Sequence, residues 1–136
     1  MYRGDPPNFE TLAAAARAGN PDNMVAFNPG VFFPASPMSP HQDYLAGEIN
    51  DVERPLVKTN RVADGLMDGV QVHILSYLGQ TWGRGGPRLT TGRVITTVRG
   101  VLEHRGAFTW DVPVQTNGVI AEPFMEQLRA LQEELK

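Results

Sequence analysis

The run "GVQVHILSYLG" (69–79) leads through the glycine-rich "GQTWGRGGPR" to an amphipathic stretch and then to a second apolar run, "AFTWDVPV". The first run alternates poorly but is β-branched and aromatic, which predicts a strand buried on both faces. Thr90 or Thr91 can cap a helix reaching Arg105, with Gly106 behind it. Val94, Ile95, Val98, Val101 and Leu102 form its single apolar face. Pro113 and the turn "TNG" stop the second strand. A strand, a helix and a strand in succession predict parallel strands covered by helices, hence an α/β fold.

The flanks extend the alternation. Asn8 can cap a helix through "FETLAAAARAG", ended by Gly19, with Phe9, Leu12, Ala13 and Ala16 as its buried stripe. "MVAFN" (24–28) reads as a short strand broken by Pro29 and Gly30. A last helix starts near Pro123, with Phe124, Leu128, Leu131 and Leu135 facing inward. Between these lies 31–68, a long loop without sustained period, and so long a loop is usually functional or disordered. No internal repeat is visible. The 136 residues, 41% hydrophobic and 20% charged, suit one domain spanning 1–136 with a single core.

The long loop carries an unusual segment. "HQDYLAGEIND" (41–51) crowds charged groups beside the proline-rich "FFPASPMSP". Binding and catalytic residues concentrate on loops held by a rigid scaffold. In a parallel α/β sheet, ligands meet the loops that follow the strand C-termini. That rule selects Asn28, the 31–68 loop, the stretch Tyr77 to Arg88, and Asp111 to Asn117. His41, Asp43, Glu48, Asp51, Trp82, Arg84 and Asp111 are therefore expected along one rim. An exposed Trp beside an Arg and several carboxylates suits a sugar, whose apolar face stacks on the ring.

Each residue also has an ordinary reading. On local sequence alone, Glu48 is first a solvated loop acid. His41 and Asp43 could supply two metal ligands, but further histidines with metal-ligand spacing are lacking. His73 lies mid-strand and reads as a hydrogen-bonded core or lumen group, and His104 as a helix-dipole partner. The glycines of "GQTWGRGG" have neither a Walker lysine nor Rossmann spacing, so a mobile loop is the expected role. Trp110 reads as core; Trp82, among glycines, has the better claim to a ligand.

Charge and composition exclude several classes. A net charge of −3 attracts neither nucleic acid nor anionic membrane. The absence of cysteine removes disulfides and thiol chemistry and fits a reducing compartment. "MYRGDPPNFE" lacks the apolar segment of a signal peptide, and no stretch nears the roughly 20 apolar residues of a membrane span. A cytoplasmic protein without a cofactor is expected.

Taken together, "NPDNMVAFNPGV", "DYLAGEIND", "ILSYLGQTWGRGGPRLT" and "FTWDVPVQTNGVI" followed by "PFMEQLRAL" resemble the C-terminal part of the α-L-fucosidase-like glycoside hydrolases. Members are (β/α)8-like barrels that hydrolyse terminal α-L-fucose with retention. "DYLAGE" resembles the segment ending in the family's acid/base glutamate, which carries that role onto Glu48. "WDVPV" resembles a late strand end, with Asp111 in place of an asparagine. The segment bearing the nucleophilic aspartate would precede Met1, so the chain resembles the second half of a TIM-like barrel. Asp111 is the first substitute for that carboxylate and Asp51 the second. Retaining hydrolysis needs carboxyl groups roughly 5–5.5 Å apart, and inversion roughly 6.5–9.5 Å.

The resemblance implies hydrolysis of terminal fucosyl or related bonds, on a carbohydrate or aryl glycoside. A silent carbohydrate-binding or structural half-barrel is the alternative, and a metal-assisted hydrolase on His41, Asp43 and Glu48 a further one. Two exposed strand edges imply a homo-oligomer that closes them.

Overall fold

A computed structural model describes residues 7–54, 56 and 59–136. Residues 1–6, expected to lead into the first helix, and positions 55, 57 and 58 of the long loop lie outside the described residues. The fold is mixed α/β.

Helix α1 (Phe9–Arg17) begins at Asn8, whose side-chain oxygen accepts from the Thr11 N–H at 3.0 Å. Its expected buried stripe is mostly absent. Ala13 alone is buried, and Leu12 is 50% exposed. High alanine propensity makes the helix without a packed face to demand it.

Three two-residue strands, β1 (Val62–Ala63), β2 (Leu66–Met67) and β3 (Val70–Gln71), form an antiparallel meander. Its turns are the dipeptides Asp64-Gly65 and Asp68-Gly69, with all four residues at positive φ. Asp-Gly is the preferred pair for the two-residue hairpin turn whose twist matches the strands. The end of the supposed irregular loop is therefore regular, and "ADGLMDG" already carried the signal.

Strands β4 (His73–Tyr77) and β5 (Ala107–Asp111) pair in parallel, from His73 opposite Ala107 to Tyr77 opposite Asp111. Helix α2 (Thr91–Leu102) forms the crossover between them. Thr90 caps it through the Arg93 N–H, and Val94, Val98 and Val101 are buried. Leu102, expected on that face, is 40% exposed because the helix ends there. Gly106 donates back to the Val101 carbonyl, and a Cβ on it would lie 2.7 Å from a Val101 methyl, so the turn into β5 is tight. Helix α3 (Glu122–Glu134) packs on α2 through Phe124, Leu128 and Leu131, while Leu135 is largely exposed.

The segment 43–49 departs furthest from a loop. Tyr44 bridges Gln71 and Glu48 bridges Leu75, both in parallel. Leu45 donates to the Gln71 carbonyl, Leu75 to the Gly47 carbonyl, and Ile49 to the Leu75 carbonyl, each at 2.9 Å. Leu45, Gly47 and Ile49 are buried while Ala46 and Glu48 are half-exposed, the period-two pattern of a strand. It is a third parallel row beside β3, β4 and β5. Gly47 interrupts it at φ +64°, and there His73 fills the gap by donating from Nδ1 to the Leu45 carbonyl at 2.9 Å. A carbonyl can only accept, so Nδ1 carries the proton and Nε2 accepts from the Thr109 hydroxyl at 2.9 Å.

The strand expected at 24–28 does not form as such. Asp43 N–H donates to the Val25 carbonyl at 2.7 Å, but the Val25 N–H is met by the Asp43 carboxylate rather than by backbone. One backbone bond cannot sustain a ladder, and Met24 is 67% exposed.

One core lies where the third row, the meander and β4 meet α2, around Leu45, Ile49, Met67, Val72 and Ile74. Each such side chain contributes about 1.5–3 kcal/mol by leaving water. A second surrounds Leu78, Val94 and Phe124 and includes Trp110, as expected of that tryptophan. Among the described residues there is no closed barrel, and the assigned strands make a two-stranded parallel and a three-stranded antiparallel sheet rather than a four-stranded half-barrel. No helix among them is long and apolar enough to cross a membrane.

Candidate functional site

The C-terminal ends of the parallel rows bring together only part of the expected rim. Pairing places Glu48, Leu75 and Thr109 side by side, with Tyr77 and Asp111 two residues further along their strands. Paired residues share a face, so Glu48, Tyr77 and Asp111 stand on the side away from buried Ile49, Ile74 and Ser76. Helices α2 and α3 pack against that buried side. Two strand spacings, about 10 Å, separate the Glu48 and Asp111 rows, room for a sugar ring between them.

Each site residue is held by a named neighbour. Glu48 accepts from the Asn28 amide at 2.9 Å, and Asn28 is fixed in turn by accepting from the Gly30 N–H at 2.8 Å. Asn28 and Glu48 thus meet across 20 residues of chain, as expected of a shared rim. Asp111 accepts from the Gly83 N–H at 2.5 Å, which ties the glycine-rich loop to β5. That loop is a closed turn, with Thr81 and Arg84 exchanging backbone hydrogen bonds and Trp82 and Gly83 at its tip. Arg84 is exposed beside the tip.

Trp82 leans back onto the rows. Its Nε1 donates to the Asn50 side-chain oxygen at 2.9 Å, and its ring lies 4.7 Å from the Tyr77 ring at 53°. The guanidinium of Arg88 covers Tyr77, 3.9 Å from the ring centroid. Asn50, Tyr77 and Arg88 lie within the stretches the strand-end rule selects, but the sequence assigns none of them an individual role. Asn50 follows the acid segment directly, but Arg88 has no local signal beyond its place after Pro87.

Asp51 is turned to local duty. Its carboxylate caps the Glu53 N–H at 2.8 Å on an exposed turn. It also contributes negative potential near Arg88, whose pKa burial lowers, with Tyr77, Asp51 and Glu53 countering.

His41 and Asp43 belong elsewhere. Asp43 opens the third row whereas Glu48 closes it, so about 17 Å of strand separates them. The Asp43 carboxylate is already engaged by Arg17 and by the Val25 N–H, both at 2.6 Å. His41 is exposed two residues before it. Among the described residues no three His, Asp or Glu side chains gather around a metal position. The metal-ligand reading of His41, Asp43 and Glu48 does not hold, since the row runs from Asp43 to Glu48 and keeps the two carboxylates apart, with His41 before its start.

Asp43 is a structural group with a testable signature. The Val25 N–H holds its pKa below the usual carboxylate value; desolvation opposes this and Arg17 adds to it. A folded value below the unfolded one stabilises at pH above about 4 and is lost as pH falls through the folded value. With the carboxylate 37% exposed, the expected cost of Asp43→Asn at neutral pH is below about 1 kcal/mol. Urea midpoints of the two proteins should converge as the pH approaches 2. A gap that persists undiminished there would sink this role.

The described fold resembles part of a solved enzyme, the endo-fucoidan hydrolase MfFcnA4 from glycoside hydrolase family 107. The TM-score is 0.73 at 22% identity, covering 93% of this chain. A variant of the same enzyme superposes with TM-score 0.74 at 21% identity. This chain spans 23% of the length of either. At this identity the likeness establishes a shared fold. No protein-family model and no curated protein matches the chain.

Proposed function

We propose that the chain carries half of a glycoside hydrolase active site, in a segment corresponding to the later strands of a (β/α)8-type barrel. The supporting observation is that Glu48 stands at the end of a parallel row, with Tyr77 and Asp111 at the ends of the next two and Trp82 packed on Tyr77 from the turn that follows. Glu48 is the general acid/base, Asp111 the partner carboxylate, and Asp51 a weaker partner because it lies on an exposed turn past the end of its row rather than on a paired strand. Trp82 and Tyr77 form the wall on which a pyranose stacks, and Asn28 orients Glu48.

The substrate is a fucosyl linkage, terminal or within a fucan. The sequence resemblance to α-L-fucosidases supports the sugar, and so does the structural likeness to an endo-fucoidan hydrolase. A second reading, sugar binding without turnover, is favoured by one observation. The carboxylates of Glu48 and Asp111 are each hydrogen-bonded to protein neighbours rather than to each other. Turnover of an aryl α-L-fucoside and of fucan oligosaccharides, alongside titration of tryptophan fluorescence, separates the two. Hydrolysis supports the first, a fluorescence response alone the second, and the absence of both overturns the carbohydrate reading.

The association state belongs to the same proposal. Leu12 and Met24 at one end of the row order, and Val114 and Val119 at the other, are 50–67% exposed. A second copy set edge to edge by a two-fold axis would cover both and pair the outer face of β5. Light scattering across a micromolar dilution series should give twice the chain mass; a constant single-chain mass overturns the dimer.

A further inference from the structure

We infer that Arg88 is a positioning residue that locks the Tyr77–Trp82 aromatic wall onto the strand ends, an inference that rests on the carbohydrate reading of that wall. Its three guanidinium nitrogens serve three different tasks. Nε donates to the Tyr77 carbonyl at 2.9 Å, one terminal nitrogen to the Asn50 carbonyl at 2.9 Å, and the other to the Ser76 hydroxyl at 3.0 Å. The Ser76 hydroxyl in turn donates a hydrogen bond to the Ile49 carbonyl at 2.7 Å. Arg88 thereby stitches the end of β4 to the end of the third row, next to Glu48.

The network closes on itself. From Arg88 it runs through the face of Tyr77 to Trp82, from the Trp82 indole N–H to the Asn50 side chain, and from the Asn50 carbonyl back to Arg88. The backbone N–H of Arg88 also donates to the Leu78 carbonyl at 3.0 Å, so the guanidinium starts from a fixed point. Among the described residues Arg88 forms no ion pair with a carboxylate. A half-buried cation aimed at carbonyls, a hydroxyl and a ring holds geometry rather than balancing charge. Lysine cannot replace it, because a point ammonium lacks the planar fork that reaches two carbonyls and stacks on a ring at once.

The functional consequence concerns orientation. Trp82 is held by Asn50 and Tyr77, and Arg88 fixes both of these; without it the indole would sample more poses, and stacking a pyranose would first require choosing one. Held by Arg88, the wall is set before the sugar arrives.

The test uses the full chain with Arg88→Ala and Arg88→Lys, and Trp82→Phe to identify the Trp82 emission. Arg88→Ala should raise acrylamide quenching of Trp82 about threefold and weaken the near-ultraviolet signal of the Tyr77–Trp82 pair. Millimolar guanidinium should restore both, which a general loss of packing would not allow. Arg88→Lys, the milder change if alanine does not fold, should show the same effect at partial size and without guanidinium rescue. Fucose-oligosaccharide affinity should fall about tenfold in Arg88→Ala and by a smaller factor in Arg88→Lys. Unchanged Trp82 quenching in a folded variant overturns the positioning role. Altered and rescued quenching in a protein whose wild type binds no sugar keeps that role and removes the carbohydrate reading instead.

Discussion

Gly47→Ala is expected to cost about 3–5 kcal/mol, a large share of the 5–15 kcal/mol that holds an ordinary domain together. Gly47 sits at φ +64°, which a side chain adopts only with strain. A Cβ there would lie 1.9 Å from the His73 carbonyl oxygen and 3.0 Å from the Ile74 Cα, both backbone atoms that no rotamer change can move. Relief requires the third row to swing away from β4. That breaks the Leu75 to Gly47 and Ile49 to Leu75 bonds and pulls Leu45 and Ile49, each 1% exposed, from the core. Each lost backbone bond adds about 1 kcal/mol to the strain. Urea unfolding should shift its midpoint strongly downward without changing its slope. A midpoint within the error of wild type would remove the third row from the fold described above. Because Glu48 is the next residue, the variant should also lose any sugar response, whereas a variant at the exposed Gly19, with open space around it, should keep both.

Glu48→Gln is expected to leave the fold intact and to lower hydrolysis by about 10²–10⁴-fold, the usual worth of a positioned general acid. The substitution keeps an oxygen that can accept from the Asn28 amide, so the local hydrogen bond survives while the transferable proton does not. The contrast between leaving groups carries the argument. A glycoside whose leaving group departs without protonation, such as a fluoride or a strongly acidic phenol, should lose far less than one with a poor leaving group. Asn28→Ala should produce a smaller loss, because Asn28 orients the carboxylate without exchanging protons with substrate. Equal losses with all leaving groups would assign Glu48 to binding, and full activity in the glutamine variant would remove it from the site.

Much of the secondary structure was legible locally. The caps at Asn8 and Thr90, the valine stripe of α2 and the proline start of α3 depend on neighbours within one or two turns, and they form where local chemistry put them. The parallel pairing of β4 with β5 followed from the helix between them, since a crossover leaves few other arrangements. The two Asp-Gly hairpins were equally local, and they were hidden only by the proline-rich context that precedes them.

The row 43–49 was not legible, and the reason is physical. A glycine stands where the buried alternation calls for an apolar side chain, and the row's hydrogen bonds go to residues some 26 positions away. Composition sees a charged loop; the ladder to Gln71 and Leu75 makes it a strand. The site divides along the same line. The sequence by itself determined which residue types could do chemistry, and it singled out Glu48, Trp82 and Asp111. Only the tertiary structure decided that Glu48 and Asp111 share one end of the parallel layer, with Trp82 folded onto it from the following turn, while Asp43 and His41 stand at the other end. It also turned Asp43 into a backbone anchor and recruited Arg88 and Asn50. Side-chain chemistry is written residue by residue, but the end of a strand to which a residue belongs is set by register, and register comes from pairing with distant chain.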